Sequence, residues 1–475
     1  MAKPEWRFFI FSVLFFLCLA VSLPAQIHFS GNNYLEYAYD TDLDTVYFEN
    51  WADISLGYKQ LRLGARYEFH LPPQPYSQDS VGQGISQRFL EYKKDKLILT
   101  IGNFYSLFGR GLVLRSFENR MLRWDTNLDG VKVEYYHDFI DFQIVGGSMR
   151  DRRGRRRDAL QGGTFTVKPW RYVHLGSSYV TTHLPLKGRV HWGSVHTALN
   201  FNWGNFYVER AMKDFPEDDP KAKAFYVVGN LFKSPFTFLV EYKNYEQFDL
   251  TERTATKNPP SELTYNNPPV VARDHLFTLL NRHQLVQNAN DEKGYLLELT
   301  YTHHDQFVMT LSHSKTENHA GLLIYREYYG QLEWDPVDAL NVVGGAGEQK
   351  DPEARYLNVV GSAKWGFSDR YSTKLIIEHQ HVTIHYNERQ FYNQLYTFSV
   401  DRSPRFSFSF LTERSTDQQS RKDLWLAGQL DIHFLGDFDL TIFGGRRREG
   451  KVCIGGICVI RPEFEGIEVR LMNRW

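Results

Sequence analysis

The chain has 475 residues, 55 Lys and Arg against 56 Asp and Glu, and a formal net charge of −1, so bulk charge argues for neither nucleic acid nor an acidic partner. Aromatic residues make up 15% of it, with 28 Tyr and 35 Phe. That is more than a soluble core needs, and it suits strands that show one face to lipid and the other to water.

Residues 1–25 run from Lys3 and Arg7 through an apolar stretch, Phe8 to Leu23, to the small residue Ala25. This is the pattern of a secretory leader cleaved after Ala25, leaving 26–475 as the mature part. Cys18 follows Phe16 and Leu17 rather than a small residue, which speaks against lipidation. Beyond residue 25 there is no apolar run of about 18 residues, so no transmembrane helix is expected.

The first clear strand pattern is QLRLGARYEFHL at 60–71. Leu61, Leu63, Ala65, Tyr67, Phe69 and Leu71 share one parity; Gln60, Arg62, Arg66, Glu68 and His70 share the other. A lipid face and a wet face follow from that period of two. The same split recurs at Val195, Leu199, Phe201 and Trp203, at Tyr295, Leu297, Leu299 and Tyr301, and at Phe406, Phe408 and Phe410. Short polar turns fall at 93–96, 168–170, 202–205, 233–235, 335–338, 368–370 and 402–404. They alternate with longer connections at 72–86, 149–162, 247–292 and 414–421. The fold class expected is all-β: one large antiparallel transmembrane β-barrel of about 24 strands, in the range of roughly 20 to 26, with both termini periplasmic and an inner loop or plug segment.

After the fifth strand, segment 104–127 breaks the alternation and carries Arg110, Arg115, Arg120 and Arg123 beside Glu118 and Asp125. Mixed charges among glycines and aromatics point inward, either to an internally paired plug or to a constriction that selects solutes. The loop 149–162 gathers Arg150, Arg152, Arg153, Arg155, Arg156 and Arg157. It reads either as a solvated loop touching lipopolysaccharide phosphates or as one folded inward to attract anions. The connection 247–292 is expected to be a long extracellular loop whose prolines forbid a central strand, with a short amphipathic helix after Val271. His275, Arg282 and His283 are its reactive-looking members, and no catalytic role is assigned to them.

His379, His381 and His385 share one face of a predicted strand, a spacing that brings two imidazoles toward one metal. No carboxylate or thiolate is fixed beside them, so they are read as part of the wet wall and no metal or cofactor is expected. Cys453 and Cys458 flank IGGI, a two-residue hairpin turn that sets them as directly facing partners, and an extracellular disulfide is expected there. Ile467, Val469, Leu471 and Trp475 share parity on the last strand. An alternating end with a terminal aromatic looks like the signal read by the outer-membrane assembly machinery.

Three segments, GNFYSLFGRGLVLRSFENR, NNPPVVARDHLFTLLNRH and GKVCIGGICVIRPEFEGIEVRL, resemble in order and spacing an outer-membrane barrel family of Bacteroidota-type bacteria. The resemblance covers most of the mature part and implies barrel and location; the family carries no activity to transfer. No nucleophile elbow, phosphate-cradling loop or zinc-protease motif is present, so no enzymatic activity is expected, and a barrel-embedded hydrolase ranks last. A porin-like channel for small or anionic solutes ranks first. A scaffold in assembly, secretion or adhesion, with a protein partner at its extracellular loops, is the alternative. Membrane lipid and lipopolysaccharide are partners under either reading.

Overall fold

The computed structural model describes residues 27–71, 82–122, 124–150, 156–184, 188–214, 222–254, 261–454 and 457–475. The expected leader, Arg123, and Arg152, Arg153 and Arg155 lie outside the described residues. The wall is a closed 24-stranded antiparallel sheet in which each strand pairs with its neighbours along the chain. Strand Ile27–Asp40 pairs with Phe464–Arg474 to close it. At the seam, Gly31 and Trp475 exchange two backbone hydrogen bonds of 3.0 and 3.1 Å.

Burial along the strands inverts the pattern of a soluble protein. Leu61, Leu63 and Tyr67 are exposed while Arg66 and Glu68 are buried; Val195, Phe406, Phe408 and Phe410 are exposed as well. The apolar face therefore points outward as a membrane-spanning band, and the polar face lines the interior. Among the described residues no helix is long and apolar enough to cross a membrane.

Connections at the two rims differ as expected. On the rim that carries both ends of the wall, strands resume after only two to four residues, at 59–60, 95–96, 234–235, 367–370 and 435–437 for example. The other rim carries the long connections, including 105–127 and 247–290.

Two expectations need correction. Arg156 and Arg157 are not loop residues: they begin the strand Arg156–Trp170, because its ladder with Ile140–Arg150 continues past a bulge to pair Arg150 with Arg156. His379 and His381 are not on the wet wall. Glu378, Gln380 and Val382 hold the inner face of that strand, so the two histidines share the outer parity of Leu375 and Ile377. His381 stacks on Tyr392 at 4.7 Å, and His385 lies just past the strand.

Candidate functional site

Both long excursions leave a complete wall behind them. Strand Leu97–Phe104 pairs directly with Leu128–Tyr136, Phe104 opposite Leu128, so 105–127 is an addition to the ladder and not a part of it. Strand Phe236–Glu246 likewise pairs with Asp291–His303, Glu246 opposite Asp291, across the base of 247–290.

Segment 105–127 folds into two short hairpins, Leu107–Phe108 with Leu114–Arg115 and Glu118–Asn119 with Trp124–Asp125. The first is held by apolar packing: Phe108, Leu112, Val113 and Leu114 join the inner-face residues Val180, Val190, Trp192 and Ala211 in one buried cluster. Directional bonds fix its position. Trp192 Nε1 donates to the Val113 carbonyl at 2.8 Å, and the Arg110 amide donates to Glu209 Oε2 at 2.9 Å. Gly109 has φ +55° and lies so close to the wall that a Cβ would sit 2.5 Å from Glu209 Oε1, so a larger residue there would be strained and would have to displace that carboxylate.

The second hairpin is held by charge. Arg66 on the wall donates to Asp53 at 2.5 Å and to Glu118 at 2.6 Å, and Arg120 reaches Asp53 at 3.0 Å while lying over Trp51. Arg150 bonds Asp125 at 2.9 Å. Of the residues expected to line a constriction, Glu118, Arg120 and Asp125 thus come together in one paired network, which Arg150 joins. Burial, with Asp125 and Glu118 beside it, pushes the Tyr105 phenol well above its ordinary pKa.

Arg110 and Arg115 sit apart from that network. The Arg110 guanidinium lies 5.0 Å over the Tyr207 ring. That of Arg115 lies 5.0 Å over Phe117 and reaches the Asn267 carbonyl at 3.5 Å. Burial holds the Arg115 pKa below its usual value.

The second excursion begins and ends at the long-connection rim. From there it packs onto the inner face, because its apolar residues and amides find seats there. Its helix is one turn, Thr278–Asn281. Glu378 accepts the first amides, Thr278 at 3.1 Å and Leu279 at 2.7 Å; this satisfies donors that a helix start leaves open. Gln380 and Gln349 donate to the carbonyls of Leu279 and Leu280 at 3.1 and 2.8 Å. These amides also form a one-way chain across five adjacent strands: Asn358 donates to Gln349, Gln380 to Asn358, Asn393 to Gln380, and Ser415 to Asn393.

Beyond the helix, Arg282 forms a bidentate pair with Glu413, at 2.6 and 2.7 Å, and Arg448 joins it. Lys451, on the hairpin Gly450–Ile454 with Ile457–Arg461, donates to the Gln284 carbonyl at 3.1 Å. That hairpin's register sets Cys453 opposite Cys458. The two excursions also meet each other, where the Arg115 amide donates to the Tyr265 carbonyl and Asn266 Nδ2 to the Leu112 carbonyl, both at 3.0 Å. Sequence reasoning missed Trp192, Glu209, Gln349, Glu378, Gln380 and Glu413; each stands at an inward parity position, the signal that could have found them.

His283 stacks on Tyr356 with centroids 3.6 Å apart. Burial, then Arg282, Lys451 and Arg448, lowers its pKa to about 3. The folded chain therefore keeps this imidazole neutral while the unfolded chain protonates it below about 6.5. This contribution is fully present above about 6.5 and is lost as pH falls toward about 3. Thermal melts at neutral pH and pH ~4 should show a smaller acid-induced drop in His283→Gln than in the natural chain.

These features define a wide transmembrane barrel whose inner face is occupied by two excursions of its own chain. The protein belongs to a family of unknown function, DUF6029, whose model matches residues 18–312 and 346–475. No curated protein matches the sequence. Among solved structures, a chain of the E. coli P pilus tip assembly intermediate PapC-PapD-PapK-PapG is similar in fold, with a TM-score of 0.57 and 10% identity over 96% of this chain. The present chain spans 62% of that chain's length. The siderophore receptor PirA from Pseudomonas aeruginosa matches at TM-score 0.45, 8% identity, 96% of this chain and 81% of its own. OccK3 (OpdO) from the same organism matches at 0.42, 13%, 78% and 99%.

Proposed function

We propose that this protein is an outer-membrane, porin-like channel for small anionic solutes, with the excursions 105–127 and 247–290 as its plug. The observation that carries the reading is the intact ladder beneath both excursions: a wall already complete has no structural need of them. A barrel of this width is too wide for strand side chains to fill, so such inserts set what passes. In this reading both termini lie in the periplasm and the long-connection rim faces outside. There a Cys453–Cys458 disulfide staples the hairpin that contacts the second excursion.

Anion preference is assigned to Arg115, a cation on the plug held by a ring and a carbonyl. The test is planar-bilayer recording of the refolded protein under a salt gradient. The natural chain should give small anion-preferring steps, and Arg115→Glu should shift the reversal potential toward cation preference. A folded barrel that stays silent rejects the channel. It would favour the scaffold reading, in which the outer rim binds another protein.

A further inference from the structure

Among the described residues, five buried polar atoms without a hydrogen-bond partner lie on two adjacent wall strands and on the second excursion. They are Ser312 Oγ, Ser314 Oγ and Thr316 Oγ1 on strand Phe307–Glu317, Glu327 Oε2 on Leu323–Val337, and His275 Nδ1 on the excursion. The ladder sets Ser312 opposite Tyr329, Ser314 opposite Glu327 and Thr316 opposite Tyr325, all on the inner face. Cross-strand partners of this kind stand about 5 Å apart. His275 caps the group: its Nε2 is 2.8 Å from Glu327 Oε1, and its ring meets Tyr329 edge-on at 4.5 Å.

The carboxylate is served on one side only. Glu327 Oε1 receives His275, Tyr325 at 3.1 Å and Gln349 at 2.8 Å, while Oε2 has no donor. Each hydroxyl offers one proton and two lone pairs, so it can turn a lone pair toward a cation. Oxygen lone pairs therefore line the nook, those of Glu327 Oε2 among them. Arg273, which lies over Tyr329, is already paired with Glu298. Buried polar atoms left without partners are costly, and polar nooks in proteins are normally filled.

We propose that this nook binds one monovalent metal cation between Glu327 Oε2 and the Ser314 hydroxyl, with water and the Ser312 hydroxyl beyond it completing the shell. The donors are hard oxygens, which suit sodium or potassium rather than zinc or copper. One carboxylate matches one positive charge. No group of three or more His, Cys, Asp or Glu able to hold a metal ion occurs among the described residues, so a divalent ion would lack compensating charge. Such an ion ties the excursion to the wall through His275 and Glu327, and it does so whether or not the barrel conducts.

The site is tested by thermal unfolding of the refolded full chain in sodium, potassium or choline chloride at equal ionic strength. A ligand that binds only the folded state raises the midpoint. The midpoint should be several degrees higher in one alkali salt than in choline, and the difference should vanish in Glu327→Gln and shrink in Ser314→Ala. Should Glu327→Gln fail to fold, Ser314→Ala decides alone, since it removes only one oxygen. Equal midpoints in all three salts would mean that water alone fills the nook, and an alkali-specific shift unchanged in Ser314→Ala would place the ion elsewhere; either result overturns the proposal.

Discussion

Replacing residues 105–127 with a two-residue Asn-Gly turn should convert small current steps into large, stable ones without loss of the barrel. The register makes this a clean excision: Phe104 and Leu128 already face each other, and a two-residue turn is the connection such a pair accepts. Contacts that hold the segment would be replaced by water. Arg66, Asp53 and Arg150 are charged and would be rehydrated in an opened lumen. The second excision, 247–290 replaced in the same way between Glu246 and Asp291, should add to the first. Single-channel recording of both single deletions and the double deletion measures this. A double deletion that folds, as judged by its strand signal and heat-modified gel mobility, yet conducts no more than the parent would remove the plug from the account.

The largest stability effect is expected at Lys243 and Glu292. Both side chains are 0% exposed and bond at 2.8 Å at the base of the second excursion, next to Tyr245. Removing one partner strands the other charge in a dry site, and Lys243→Met should cost about 3 to 5 kcal/mol. Replacing both, as in Lys243→Met with Glu292→Leu, should recover most of that, because two buried charges lose nearly as much by desolvation as they gain from each other. Urea unfolding of the four proteins in lipid vesicles gives the coupling directly. A loss that the double variant leaves uncorrected would mean the pair serves more than charge balance, since the Asn288 amide also rests on Glu292.

The wall was legible because its signal is local. Alternation at 60–71 or 406–410 needs only neighbouring residues to declare a lipid face, and turn residues at 202–205 and 233–235 mark where strands reverse. The turns at 168–170 and 335–338 sit a few residues early, since the strands run on to Trp170 and Val337. What could not be read is pairing at long range. Arg282 meets Glu413 across 131 positions and Asn266 meets the Leu112 carbonyl across 154; no periodicity encodes either. Arg156 and Arg157 looked like loop residues because charge hides strand character. Whether Arg120 was internally paired could not be read either, because Asp53, its partner, is on a distant strand.

The one-way amide chain from Gln349 to Ser415 also acts as a gauge of strand alignment. A slip by one residue would turn Gln380 into the outward apolar band. A slip by two keeps it inside but sets it against Tyr356 or Val360 in place of Asn358 on one side, and against Phe391 or Leu395 in place of Asn393 on the other. Neither neighbour offers an amide, so the side-chain bond exists at one alignment only. Because Gln349 and Gln380 also hold the helix carbonyls, a misaligned wall would lose its seat for the excursion at the same time. Barrel assembly and the docking of the inner segment are thus proofread by the same few side chains.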